Sequence, residues 1–374
     1  CRLHPTACLH GTKIVVTHAN NPSHSDASFL ARNEFLIRRL HSLSGLIPVG
    51  AFMIVHLLAN ASLMDGAATY QRAVFGIHSL VSILPVVEWV FIFIPILFHG
   101  IVGVMIVAGA VPNSGKYPYM KNYRYYAQRA TGMIAFLFII GHVFHFHGGV
   151  HIHAWLEYVV KPLNGYQFRA FNASSTLGAA MQGSGAILIW ILYLIGVLSC
   201  VYHLANGIWT MGITWGVWIS PQAQQRASNV CAAFGVVLAM VGVAGIYASA
   251  TVNVEEARRM EYETIAAKID SHEIKTSSLF TIDADDAAGI SSALSAGQFP
   301  ENLGEKFAAA SDVEFHGQGQ VETLKPGEQW LVAQHGAGHD MFSVRREGDQ
   351  LRVLRIEEAA KIKLPEEPAD ESGN

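Results

Sequence analysis

Five stretches of this chain are each apolar enough, over enough residues, to cross a lipid bilayer: Leu43 to Met64, Leu84 to Ala110, Gln128 to Phe146, Gly185 to Gly212 and Val230 to Ala250. A hydrocarbon core ~30 Å thick takes about 20 helical residues. Backbone N–H and C=O groups must be satisfied within each segment there, which rules out open strands and loops. The runs therefore predict an all-α membrane fold, a five-helix transmembrane bundle with antiparallel neighbours joined by short connections. Pro48, Pro85 and Pro95 fall inside runs as tolerable kinks. Over the whole chain 51% of residues are hydrophobic and only 14% charged, far from the balance of a soluble domain.

Charge divides the chain in two. Residues 1–251 hold 13 Lys+Arg against 5 Asp+Glu, and residues 252–374 hold 12 against 24. We expect an N-terminal cytoplasmic segment at 1–32, a membrane domain at 33–251, and a small soluble extension, α+β in character, at 252–374. Arg32, Arg38 and Arg39 precede the first run, and Lys116, Lys121, Arg124 and Arg129 lie around the second to third connection, against only Arg72 between the first and second. The positive-inside rule then predicts a multi-pass protein of the cytoplasmic membrane, N-terminus inside and, after five crossings, C-terminus outside. In the extension, "NVEEARRMEYETIAAKIDSHEIK" reads as a charged helix continuing the fifth crossing, and "GEQWLVAQHGAGHDMFSVRREGDQLRVLRI" as short hairpin strands. The acidic end "LPEEPADESGN" reads as disordered. No nucleic-acid partner is expected. The four cysteines form no CxxC, and "CRLHPTACLH" fits no standard zinc spacing.

Four histidines fall inside four different runs: His56, His99, His142 and His203. An ionisable side chain at such depth is a functional candidate by default. Counted from the run ends, His56 and His142 sit in the outer half and His99 and His203 in the inner half, so two pairs stack across the membrane. Two neutral imidazoles from facing helices are a usual protein ligation for a b-type haem. Gly100, Gly103, Gly141 and Gly207 lie beside or a turn from these histidines, leaving room for a flat ring. Zinc usually asks for four ligands, and no Asp, Glu or Cys matches both pairs in depth. Two b haems are the expectation. A histidine relay for metal ions or protons is the rival, although such a path needs more polar groups than these helices carry.

The stretches "FLIRRLHSLSGLIPVGAFMIVHLLAN", "PILFHGIVG", "YAQRATGMIAFLFIIGHV" and "VYHLANGIW" followed by "TWGVWISPQ" resemble the cytochrome b subunit of succinate:quinone oxidoreductases, in its single-chain, five-helix, dihaem b558 type. The resemblance covers about Asn33 to Gly245, and the motif order argues against a hydrogenase or formate dehydrogenase anchor. It implies His56 with His142 as axial ligands of an outer haem and His99 with His203 of an inner haem. It also implies partners on the cytoplasmic face, an iron-sulfur subunit and an FAD-containing flavoprotein, and a quinone, often menaquinone, as electron acceptor. Run in reverse, the same architecture serves fumarate reduction. Such a chain is not catalytic for succinate by itself.

Other candidates carry less. Arg38, Arg39 and Arg129 at the cytoplasmic ends could hold haem propionates or the soluble subunits, and would look the same as positive-inside anchors. His41, within "RRLHS", falls near the inner haem's level. Glu88, 11 residues before His99, lies about 16 Å along the helix from it, at the outer haem's level, where a carboxylate could exchange protons with quinone. Val201 is apolar, so the proton-conducting Glu that some fumarate reductases of this type carry there is not matched. "GHVFHFHGGVHIH" adds His145, His147, His151 and His153, readable as an external metal site or as a solvated loop.

Overall fold

The computed structural model describes residues 32–78, 83–109, 119–149, 152–163, 165–183, 185–310, 319–325, 327–334 and 341–356. The "CRLHPTACLH" stretch, Lys116, His151 and the acidic C-terminal end lie outside the described residues. The chain divides into two compact units, Cys1–Leu40 and His41–Asn374. The described part of the first unit is the opening of helix α1 (Glu34–Leu46), where Arg38 pairs with Glu34 at 2.7 Å and the Arg39 guanidinium lies 4.9 Å from the Phe35 ring centroid.

Five helical spans are long and apolar enough to cross a membrane. The first, Glu34–Asp65, is α1 followed by α2 (Val49–Ala61) and one tight turn. It breaks at Pro48, which has no N–H to continue the ladder. The others are α4 (Leu84–Ala108), α5 (Met120–His147), α7 (Ala186–Thr214) and α8 (Pro221–Thr251). Helices α5 and α8 start well before the apolar runs at Gln128 and Val230, because a helix needs no apolar side chains once it leaves hydrocarbon. Helix α7 packs between α5 and α8, and α8 also packs on α2. Large apolar side chains such as Leu137, Ile187, Val236 and Met240 cover the outside of the bundle, and in α4 only Leu84 and Val102 are buried. Such a surface needs lipid against it. The chain is a multi-pass membrane protein.

Two connections are not the plain loops that the sequence predicts. Helix α3 (Ala67–His78) follows the first span, and α6 (Ala173–Gln182) precedes the fourth. They pack on each other and on α9 (Val254–Asp270) at one end of the bundle. The expectation that α9 continues the fifth crossing is overturned. Val252 leaves the helical region at ψ 137, and Asn253 starts a new helix by accepting from the Glu256 N–H at 3.2 Å.

Beyond α9 the described chain forms β1 (Thr276–Ile282), α10 (Ala284–Ser295), α11 (Glu301–Ala309), β2 (Gly319–Lys325), β3 (Gln329–Gln334), β4 (Met341–Glu347) and β5 (Gln350–Ile356). The strands make one antiparallel sheet in the order β1-β5-β4-β3-β2, and β3 to β5 are the hairpin strands read from the alternation. Both faces are covered. Trp330, Val332, Phe342, Val344, Leu351 and Val353 point to α10 and α11, whereas Leu331, Met341 and Ile356, one residue out of phase, point to Tyr262, Ile265 and Ile269 of α9. Phe75 of α3 and Phe171 join that second cluster, so the sheet is seated on the bundle end.

Candidate functional site

The fold brings the four intramembrane histidines together as two pairs. On α2 and α5 the rings of His56 and His142 are 5.7 Å apart between centroids and nearly perpendicular, at 80°. Phe138, His142 and Phe146 recur every four residues on one face of α5, and Phe52 stands four before His56 on α2. Each of these phenylalanines packs on its own helix's histidine, at 5.3 to 5.7 Å. His142 Nδ1 lies 3.4 Å from the Tyr193 hydroxyl on α7, which lies 2.9 Å from His145 Nδ1. Asn60 donates to the His56 carbonyl at 2.8 Å, with its amide 3.4 Å from Nε2 of the same residue.

Toward the other ends of α4 and α7, His99 and His203 repeat the arrangement at 6.0 Å and 85°. His99 Nδ1 is 2.9 Å from the His41 carbonyl, and His203 Nδ1 is 2.9 Å from the Gln128 carbonyl. A carbonyl only accepts, so in the neutral imidazoles the proton sits on Nδ1 and the lone pair is left on Nε2. The His41 ring also stacks on His99, at 4.0 Å and 12°. Each ring closely approaches a glycine of a neighbouring helix. A Cβ on Gly45 would stand 2.2 Å from His99, and one on Gly132 would stand 2.7 Å from His203, so only glycine fits at either place.

Sequence reasoning missed the polar support of His203. Gln128 donates through its side chain to the His203 carbonyl at 3.0 Å and accepts from Asn206 at 2.7 Å. Asn206, buried one turn after His203, accepts from Arg124 at 2.8 and 3.0 Å, and Arg124 also reaches Ser228 at 2.9 Å and stacks 3.8 Å over Trp209. Asn206 at i+3 from an intramembrane histidine was the available signal; which arginine it would meet was not. The sequence candidate Arg129 instead stacks on Tyr125 of its own helix at 3.4 Å. Arg38 and Arg39 lie in the first unit and engage Glu34 and Phe35 there.

Glu88 opens a π-helical stretch, Glu88–Phe93, inside α4. Single π turns recur at functional positions because they displace a side chain from the regular face. Trp89 packs on Phe93 at 5.3 Å and Phe93 on His147 at 5.9 Å, which ties this stretch to the end of α5 that carries His142. His145 and His147 turn to different partners, Tyr193 and the Gly149 carbonyl. Among the described residues no three of His, Cys, Asp or Glu converge as a metal cage. Each facing pair of imidazoles, 5.7 and 6.0 Å apart between centroids, could hold one ion from two sides, since a metal–imidazole bond is ~2.0 Å.

No protein-family model matches this chain. Over 215 residues, 58% of this chain and 96% of the relative, it is 34% identical to the succinate dehydrogenase cytochrome b558 subunit of Bacillus subtilis (strain 168). The chain belongs to the succinate dehydrogenase cytochrome b558 subunit family. The remaining 42% or so of this cytochrome b558 family member lies outside the match. The five crossings set the membrane-embedded character of this b558 subunit, and the two histidine pairs are its internal polar centres.

Proposed function

We propose that the chain is the membrane anchor of a succinate dehydrogenase and holds two b haems, one between His56 and His142 and one between His99 and His203. The observation that carries this reading is the two facing imidazole pairs, at 5.7 and 6.0 Å, in a membrane domain whose relative is named a cytochrome b558 subunit. The donor set suits the group. His99 and His203 hold their protons on Nδ1 and keep Nε2 for iron, and Gly45 and Gly132 leave their rings room to lie against the backbone. A haem so bound supplies a one-electron carrier. The protein's own part is to hold each imidazole neutral and oriented, and to exclude water with the phenylalanines around the His56 pair.

The wider assignment follows the family. Electrons from succinate reach this subunit from an iron-sulfur subunit, itself fed by an FAD flavoprotein, and leave to a quinone such as menaquinone. The partners dock at the cytoplasmic end, beside His99 and His203, where Arg124 and Arg129 of α5 lie. Residues 33–251 form the cytochrome domain, and residues 252–374 form an extracytoplasmic extension at the His56 and His142 end. Glu88 serves quinone protonation there, supported by its π-helical setting beside the Phe93–His147 contact.

The test is a haem count and reduced-minus-oxidised spectrum of the purified complex and its variants. Wild type should hold two b haems. His56→Ala or His142→Ala should remove one of them, and His99→Ala or His203→Ala the other. Unchanged spectra in His56→Ala would refute the pairing.

A further inference from the structure

We propose that Tyr193 is a positioning residue for His142: its hydroxyl accepts from His142 Nδ1–H and donates to His145 Nδ1, fixing the tautomer and rotation of that one iron ligand. The inference rests on reading His142 as a ligand and goes beyond it. The hydroxyl has two imidazole nitrogens in reach, His142 Nδ1 at 3.4 Å and His145 Nδ1 at 2.9 Å, and only one proton. For His142 to offer Nε2 to iron, its own proton must be on Nδ1, and the phenol oxygen is then its acceptor. The phenol proton is thereby directed to His145, whose Nδ1 must carry the lone pair. One order of donors and acceptors satisfies all three groups.

The phenol is held for this task. Its ring meets Phe138 edge-on at 5.2 Å and Phe146 at 5.8 Å, so the two phenylalanines that pack on His142 also clamp Tyr193. The other haem site is built differently, since His99 and His203 each reach a backbone carbonyl at 2.9 Å. A fixed carbonyl at that distance withdraws the Nδ1 proton more strongly than a phenol at 3.4 Å, and an acceptor on the far nitrogen makes the ligand more basic. Tyr193 therefore makes the two sites unequal through a side chain that can be exchanged, whereas the carbonyls cannot.

Redox titration and electron paramagnetic resonance of the purified, two-haem complex test this. Tyr193→Phe keeps the ring and removes the acceptor, so His142 becomes less basic and binds ferric iron less strongly. Both haems should remain, one midpoint potential should move upward, and the low-spin signal of that haem alone should shift or broaden. His145→Phe, which leaves the phenol as acceptor but removes the group that polarises it, should give a smaller shift of the same haem in the same direction. Unchanged potential and signal in Tyr193→Phe, or equal shifts of both haems, would overturn the proposal. Should Tyr193→Phe lose the haem outright, His145→Phe decides by the same shift. A wild-type complex lacking low-spin haem would instead defeat the ligand assignment itself.

Discussion

The carboxylate of Glu261 caps a helix that belongs to another part of the chain: it accepts from the Ser175 N–H at 3.0 Å and from the Ser175 hydroxyl at 2.5 Å. The Ser174 N–H adds a third bond at 2.6 Å. These donors open α6, whose own N-cap residue Asn172 makes no side-chain cap bond, and the first N–H groups of a helix have no partner within it. Glu261 is fully buried on α9, so the junction between the bundle end and the sheet closes on one acidic side chain. Gln71 of α3 completes it, donating to the Ala170 carbonyl at 2.7 Å and accepting from Ala173 N–H at 2.9 Å.

Glu261→Ala should therefore loosen the seat of the sheet on the bundle. It strands the buried Ser174 and Ser175 N–H groups, a loss on the order of 2 kcal/mol, while the Ser175 hydroxyl still has the Asn172 carbonyl at 3.3 Å. Limited proteolysis should cut near Val252 faster than in wild type. Unchanged cleavage would remove Glu261 from the junction.

The same junction should depend on pH. Burial raises the Glu261 carboxyl above its ordinary value of 4.5, against the lowering effect of the serine hydrogen bonds. An acid raised on folding stabilises most below its ordinary value, and the contribution is lost as pH rises through the raised one. Tyr70 nearby is pushed up by burial first and by the Glu261 charge second, so it stays neutral throughout. Thermal stability of the junction should fall as pH rises above the ordinary carboxyl value of 4.5 in wild type, with a flatter profile in Glu261→Gln. Parallel profiles would contradict this.

Gly132→Ala should disturb the His203 site and spare the His56 pair. The added methyl would stand 2.7 Å from the imidazole, and relieving it moves the ring off its bond to Gln128. Overpacking of this kind costs about 1–3 kcal/mol. The haem count should drop by one, with the remaining spectrum that of the other site; a full count would show that the ring has slack.

Asn206→Leu keeps the branched shape of the side chain and cuts the link between Arg124 and Gln128. Outer-shell partners of this kind change metal retention by roughly 10–100-fold. Haem loss to a scavenging apoprotein should speed up for the His99 and His203 site only. Equal rates at both sites would mean the network is merely structural.

Glu88→Gln should slow quinone turnover by about 100-fold, the scale of one proton-transfer group. Succinate oxidation by a soluble dye should be intact, because the dye takes electrons before the membrane. Loss of both activities, or of neither, would move the quinone's proton exchange elsewhere.

The apolar runs determined that the chain crosses the membrane five times, since a bilayer tolerates little besides a continuous helix and length alone decides whether it spans. They also determined which histidines share a level, because depth along a helix is counted residue by residue. The alternation in β3 to β5 likewise announced a sheet, as side chains on a strand alternate by geometry. Only the tertiary structure decided the rest. Helices α3 and α6 have mixed composition and are stabilised by each other and by Gln71 and Glu261, partners about 100 residues away in sequence in the case of the Gln71–Ala173 bond. The break at Val252 leaves little trace in composition, because Asn253 caps as readily as it sits within a charged helix. That Arg124 rather than Arg129 supports His203, and that Tyr193 serves His142, depends on the rotation of α5 against α7. Rotation about a helix axis follows from packing, and no count along one helix contains it.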